Sequence, residues 1–261
     1  MNTKTLTQPA LKMIEQYLHF TIGSTSCSVP YFNNKTTKAR AGLRAYSGKG
    51  SPSDIFEEVQ TLMIKSHVAI DSLTSESLKK VLTDQNLGID CSGFVYYILN
   101  AEFAELKKST LNKHISFVNR QGFFGKIRAK LRPVENCDVS TLAHDTNSSL
   151  ISTKDILPGD IITLINQKET SNTDRTERNH ILVIHQVEYN DFIPTKLHYS
   201  HTIAYPEDGV YGSGIKQGVI EIIDVDKPIT EQIWTENGKQ NEENQIFVRA
   251  KKSMTEVRRV N

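Results

Sequence analysis

No apolar run in the 261 residues approaches the roughly 20 needed for a helix to cross a bilayer. Runs such as Ile161 to Ile165 and Ile181 to Ile184 stop far short, so no transmembrane span is expected. The N-terminus lacks the continuous apolar segment of a secretory leader, because Lys12, Glu15, Gln16 and His19 interrupt it. A cytoplasmic protein is expected on that ground, with non-Sec export the remaining route outward. Neither charge sign is in excess: 31 Lys plus Arg against 30 Asp plus Glu leaves a net +1, which argues against specific nucleic-acid binding by the chain as a whole. Cysteine is scarce. Cys27, Cys91 and Cys137 are odd in number, widely spaced and contain no Cys-X-X-Cys, which fits neither a disulfide framework nor a zinc site. Gly48-Lys-Gly50 is too short for a phosphate-binding loop, and no metal cluster or internal repeat is visible, so no cofactor or metal is expected.

The length allows one large domain or two small ones, and the composition is that of an ordinary globular chain; a single domain over 1–261 is the expectation. Its first part reads as helical. Thr7-Gln-Pro9 opens a helix with Leu11, Ile14 and Leu18 on one face. Ser51, Pro52 and Asp54 open another, with face Ile55, Val59 and Leu62, and a short helix follows at Ser75 to Leu82. From Lys107 to Arg132 there are eight Lys or Arg and no acid, interleaved with Phe117, Phe123, Phe124, Ile127 and Leu131. The polar stretch 139–153 reads as a mobile loop. Strands are expected beyond it at Ile161 to Ile165, Ile181 to Tyr189, Lys196 to Ile203, Gly218 to Val225 and Ile246 to Lys251. Helices followed by an antiparallel sheet make the fold class α+β.

Chemistry concentrates at Gly88-Ile-Asp-Cys-Ser-Gly-Phe-Val95. Asp90 can cap a helix whose apolar pairs are Phe94 with Ile98 and Val95 with Leu99, which places Cys91 in its first turn. Backbone N–H groups and the helix dipole there favour a thiolate, so Cys91 is a candidate nucleophile with a lowered pKa. A buried structural cysteine is the alternative. Gly93 would let a backbone or a substrate approach closely. The candidate base is His180, which opens the strand His180-Ile-Leu-Val-Ile184. A two-residue turn at Asn190-Asp191 would set His201 directly opposite His180, on one face, and His198 across from Val183, on the other. The bulge implied by Pro194 leaves His198 as the rival third residue.

Asp90-Cys-Ser-Gly-Phe-Val95, Leu157-Pro-Gly-Asp-Ile161, His180-Ile-Leu-Val-Ile184 and the later His201 resemble, in order, the motifs of the NlpC-type cell-wall cysteine peptidases. The resemblance implies a papain-like fold, with the nucleophile Cys91 at a helix N-terminus packed on a C-terminal antiparallel sheet that bears the base His180 and the orienting His201. It implies hydrolysis of amide bonds in peptidoglycan stem peptides, so a peptide or muropeptide is the expected partner. Pro30-Tyr31 and Gly48-Lys-Gly-Ser-Pro52 resemble the family's upstream elements, which makes Tyr31 a substrate-lining residue. By the same resemblance Asp90 and Ser92 flank the pocket and bind a free amine or backbone group, with helix capping as their other reading. Positions 53–87, 107–153 and the tail after 205 have no counterpart and read as insertions and extensions.

Two further readings stand beside that one. A papain-like amidase, isopeptidase or acyltransferase acting on a non-wall substrate would suit a chain without a leader. An inactive binding module would use the basic 107–132 segment against an anionic polymer or membrane surface. A cap or lid beside the active site is the other role for that segment.

Overall fold

The computed structural model describes residues 2–33, 44–118, 122–166 and 178–261, with the side chains of Phe123 and Lys126 outside the description. Strand β1 (Asn2–Thr5) precedes α1 (Gln8–Leu18), which buries Ala10, Ile14 and Tyr17, a face turned slightly from the expected stripe. A two-stranded hairpin follows, β2 (Phe20–Ile22) with β3 (Thr25–Cys27). Ser51 and Asp54 close a reciprocal capping box on α2 (Pro52–Lys65), which buries Ile55, Val59 and Met63. Thr74 and Ser77 do the same for α3 (Ser75–Asp84). These two helices, with a short 3-10 turn at Ile70–Ser72 between them, make up most of residues 53–87.

Helix α4 (Cys91–Leu106) is buried along most of its length, with Phe94, Val95, Ile98 and Leu99 in the core. Its buried Glu102 accepts from the Thr7 N–H and hydroxyl at 2.8 and 2.6 Å, which fixes the start of α1 against it. Three short helices follow, α5 (Gly122–Leu131), α6 (Pro133–Asn136) and α7 (Val139–Leu142), and then strand β4 (Ser148–Leu150). The stretch expected to be a mobile loop is therefore ordered. Its polar side chains serve its own backbone: Asp138 caps α7 through the Thr141 N–H, and buried Asn147 bonds both Ser116 and Thr141.

The remaining elements are β5 (Ile161–Ile165), β6 (His180–Asn190), β7 (Ile193–Ile203), β8 (Gly214–Glu221), β9 (Ile233–Glu236), β10 (Lys239–Gln240), α8 (Gln245–Lys252) and β11 (Met254–Val260). The strands β4 to β11 form one sheet in the order β10-β9-β8-β7-β6-β5-β11-β4, all pairs antiparallel, with β1 alongside the far half of β6. The fold is mixed α+β. Residues 246–251, expected as a strand, are helical in α8: Asn244 caps it, and Ile246, Phe247 and Ala250 are buried at helical spacing. The last strand of the chain is β11 instead, paired between β5 and β4.

Alternation along β5 and β6 separates two cores. Ile161, Ile181 and Val183 join α1 and α4 in one. Ile162, Leu164, Leu182 and Ile184 join β7, β9 and α8 in the other, around Trp234. The β6–β7 turn is Asp191-Phe192, both at positive φ, so Asn190 pairs with Ile193, one step later than the expected Asn190-Asp191 turn. Two bulges, near His185 and Thr195, offset each other, and the pairing returns to Val183↔Ser200. Residues 180 and 201 are thus two positions away from direct opposition. A shift of two keeps both on one face, because side chains alternate with period two.

Candidate active site

The β6–β7 ladder ends at Val183↔Ser200, although both strands run on and β7 stays paired with β8 as far as Ile203↔Gly214. The N-terminus of α4 meets this opening. Cys91 is the first residue of α4, buried at 6% exposure, and the Ile181 N–H at the mouth of β6 faces its sulfur. From the face of the second core, His180 Nε2 lies 2.8 Å from His201 Nδ1, and His201 Nε2 lies 2.8 Å from Glu236 Oε2. The other Glu236 oxygen accepts from the Tyr205 hydroxyl at 2.6 Å. His180, His201 and Glu236 are all buried.

Proton positions follow from the end of this chain. Burial pushes the Glu236 carboxyl up, but His201 and the Tyr205 hydroxyl outweigh it and hold the pKa below 4.5, so Glu236 is a carboxylate. A carboxylate only accepts, hence His201 donates from Nε2 and presents a bare Nδ1. His180 then donates from Nε2 to that atom. Its Nδ1 is left without a proton, as a base requires. Glu236 reaches this position because β9 pairs residue 236 with Gly218, where a Cβ would stand 2.2 Å from the Tyr199 hydroxyl. Only glycine fits there.

The expected thiolate is corrected. Burial pushes the Cys91 thiol up to about 11; Asp90 adds to the rise, and Lys49, Arg249 and the Ile181 N–H only partly counter it. A helix terminus contributes roughly 0.3–1 kcal/mol, under one pKa unit, whereas full burial moves a group by up to about 3–5 units. His180 is pushed well below 6.5, first by burial and then by the neighbouring Arg249 and His201. Burial thus favours the neutral form of each group, thiol and imidazole.

Asp90 and Ser92 are engaged from within. Lys49 Nζ donates to Asp90 Oδ1 at 2.8 Å, to Ser92 Oγ at 2.6 Å and to the Cys137 carbonyl at 3.0 Å. An internal ammonium therefore sits where a substrate amine was expected. Asp90 also caps α4 through the Gly93 N–H at 2.6 Å, in keeping with the capping alternative. Gly93 permits this arrangement: a Cβ there would lie 2.8 Å from Ile89 Cδ1 and 3.0 Å from the Gly48 carbonyl. The close approach is made by the chain's own backbone. Tyr97 and Tyr17 hold that segment down by donating to the Lys49 and Gly50 carbonyls.

Tyr31 is brought to the site. It bridges to Ile89, and its phenol pKa is raised first by burial and next by Cys91. His198 is set apart, 2.7 Å from Glu188, so His201 is the histidine joined to His180. Sequence reasoning missed Glu236, Tyr205, Arg249 and Lys49, two of them in the tail after 205 that resembled nothing. The available signal was local: Glu236 shares the buried face of a strand with Trp234, and Arg249 falls between Ile246 and Ala250 on a buried helical face.

The nitrogens of His180 and His201 point at each other rather than toward a common centre. Among the described residues no group of three or more His, Cys, Asp or Glu could hold a metal, and no helix is long and apolar enough to cross a membrane. In the basic segment, Lys107 lies over the Phe103 ring and Arg132 pairs with Glu135, while Leu131 is exposed. In comparisons with known proteins, the chain matches no family model, no curated protein and no solved structure.

Proposed function

We propose that the protein is a cysteine amidohydrolase of papain-like build, with Cys91 as nucleophile, His180 as general base and His201 with Glu236 as the groups that set the base's tautomer. The observation that carries this is the buried Glu236–His201–His180 chain, next in sequence to Ile181, whose N–H faces the sulfur of Cys91 at the start of α4. His180 Nδ1 takes the thiol proton as sulfur attacks the amide carbonyl, then returns it to the leaving amine. The resulting thioester is opened by water. Gly93 and Phe94 N–H are committed to Asp90, so the Cys91 and Ser92 N–H groups are the first-turn donors for the oxyanion. A neutral resting pair suits this order of events, because the proton moves only as the carbon–sulfur bond forms.

Peptidoglycan stem peptides are the substrate class to which the ordered motifs point. A non-wall amide or acyl substrate is favoured by one observation, the Lys49 ammonium on Asp90 and Ser92. Assays of defined stem peptides beside activated acyl esters separate the two. Turnover of either substrate by the parent and its loss in Cys91→Ala is the expected result. A Cys91→Ala protein as fast as the parent overturns the hydrolase proposal.

A further inference from the structure

Helix α5 carries its apolar side outward. Phe124, Ile127 and Leu131 stand at i, i+3 and i+7 and are 84%, 40% and 73% exposed, so they form one stripe on the solvent side. Among the described residues of α5 only Ala129 is buried, two positions from Ile127 and from Leu131 and hence about 200° round the helix from each. Arg128 and Lys130, both exposed, border the stripe on its two sides. This seating is held at the end of the helix, where Val134 is buried and Arg132 and Arg44 both donate from Nε to Glu135 Oε1, at 3.0 and 3.1 Å. The stretch from Lys107 to Arg132 holds eight Lys or Arg and no acid, in a chain whose net charge is only +1. Positive charge and exposed apolar surface are thus concentrated together.

A surface helix ordinarily turns its apolar stripe to the core, and α5 is inverted. An anionic bilayer complements both of its features: the stripe enters the boundary between headgroups and acyl chains, and the cations at its flanks meet the charged lipid heads. A nucleic acid or soluble polyanion would satisfy the cations and leave the stripe in water. Among the described residues no helix is long and apolar enough to cross a membrane, so the contact is that of a helix lying on the surface. We propose that α5 docks the protein on anionic lipid bilayers through Phe124, Ile127 and Leu131, with Arg128 and Lys130 at their flanks. The proposal goes beyond the amidohydrolase reading, and its readout is binding, without turnover.

In the test the full-length protein is sedimented with vesicles of phosphatidylcholine alone and of equal parts phosphatidylcholine and phosphatidylserine. Binding to the anionic vesicles is expected, and it should fall at least about tenfold with the neutral ones or at about 0.5 M salt. Ile127→Ser combined with Leu131→Ser is expected to weaken it about 10- to 100-fold, and Arg128→Gln combined with Lys130→Gln about fivefold for each charge removed. All four side chains are exposed, and circular dichroism checks that the variants fold. Leu131→Trp gives an independent reading that decides even if the double variants fail: brominated acyl chains should quench its fluorescence, while the fully buried Trp234 stays unquenched. No sedimentation with anionic vesicles, equal binding to both kinds, an affinity unchanged by Ile127→Ser with Leu131→Ser, or no quenching of Leu131→Trp overturns the proposal. Binding of heparin that depends on Arg128 and Lys130, with vesicles left unbound, would overturn it too and assign the helix to a soluble polyanion.

Discussion

His201 and Glu236 are held 2.8 Å apart, Nε2 to Oε2, with side chains 0% and 2% exposed, and this contact decides which nitrogen of His180 is free to act. Glu236→Gln keeps the shape but removes the charge opposite the imidazole. Charge-assisted hydrogen bonds contribute roughly 1.5–3 kcal/mol, so kcat is expected to fall about 10- to 100-fold with KM little changed. Steady-state kinetics on an activated ester check this. An equal loss in kcat for a Glu188→Gln control, which alters the His198 pair instead, would count against it.

The same carboxylate gives a stability prediction. Its folded pKa lies below the ordinary 4.5, so its contribution is fully present above about pH 4.5 and is lost as pH falls through the depressed value. Urea unfolding of the parent should weaken below pH 4.5, and Glu236→Gln should flatten that part of the profile while lowering stability at pH 7.

His185 acts in a different window. Burial, and next His198, push its pKa down to about 4 from 6.5. The unfolded chain then binds a proton that the folded chain does not. Stability unaffected above pH 6.5 is lost progressively between 6.5 and about 4. His185→Gln is expected to reduce the slope of unfolding free energy against pH in that interval.

Cys91, with its thiol near 11, should resist alkylation at neutral pH. Cys27, near 11, and Cys137, near 12, should do so too. Peptide mapping after iodoacetamide treatment is expected to show slow labelling at pH 7 that rises about tenfold per pH unit as the thiolate fraction grows. Rapid, selective labelling of Cys91 at pH 7 would mean that the resting pair is ionised.

Lys49 and Asp90 form a buried ion pair, with side chains 9% and 10% exposed. Lys49→Met leaves the Asp90 charge buried and unpaired, which costs about 3–5 kcal/mol. The double variant Lys49→Met with Asp90→Asn should recover a large part of this loss. Thermal or urea melts of the four proteins complete the cycle.

Legibility differed along the chain for physical reasons. Helices α2, α3 and α4 were readable because caps and apolar spacing are local, and the Asp90–Cys91 junction is one of those caps. Residues 246–251 misled because a short run with Ile246, Phe247 and Val248 at its start suits a strand as well as a helix until packing selects one. The turn was misplaced by one residue, yet His180 and His201 still share a face, since burial of Val187, Tyr189 and Leu197 fixes sidedness. Glu236 and Arg249 lie 35 residues or more from His201 along the chain, and no local pattern joins them to it.

From the order of residues alone came the class of fold, the cysteine at a helix start, and the placing of His180 and His201 on one face of the sheet. These rest on periodicity and capping, which act over a few residues. The tertiary structure decided the protonation of the pair, the carboxylate behind it, and the occupation of Asp90 by Lys49. Those depend on which groups are removed from water together, and desolvation is set by the packing of distant segments rather than by neighbours in the chain.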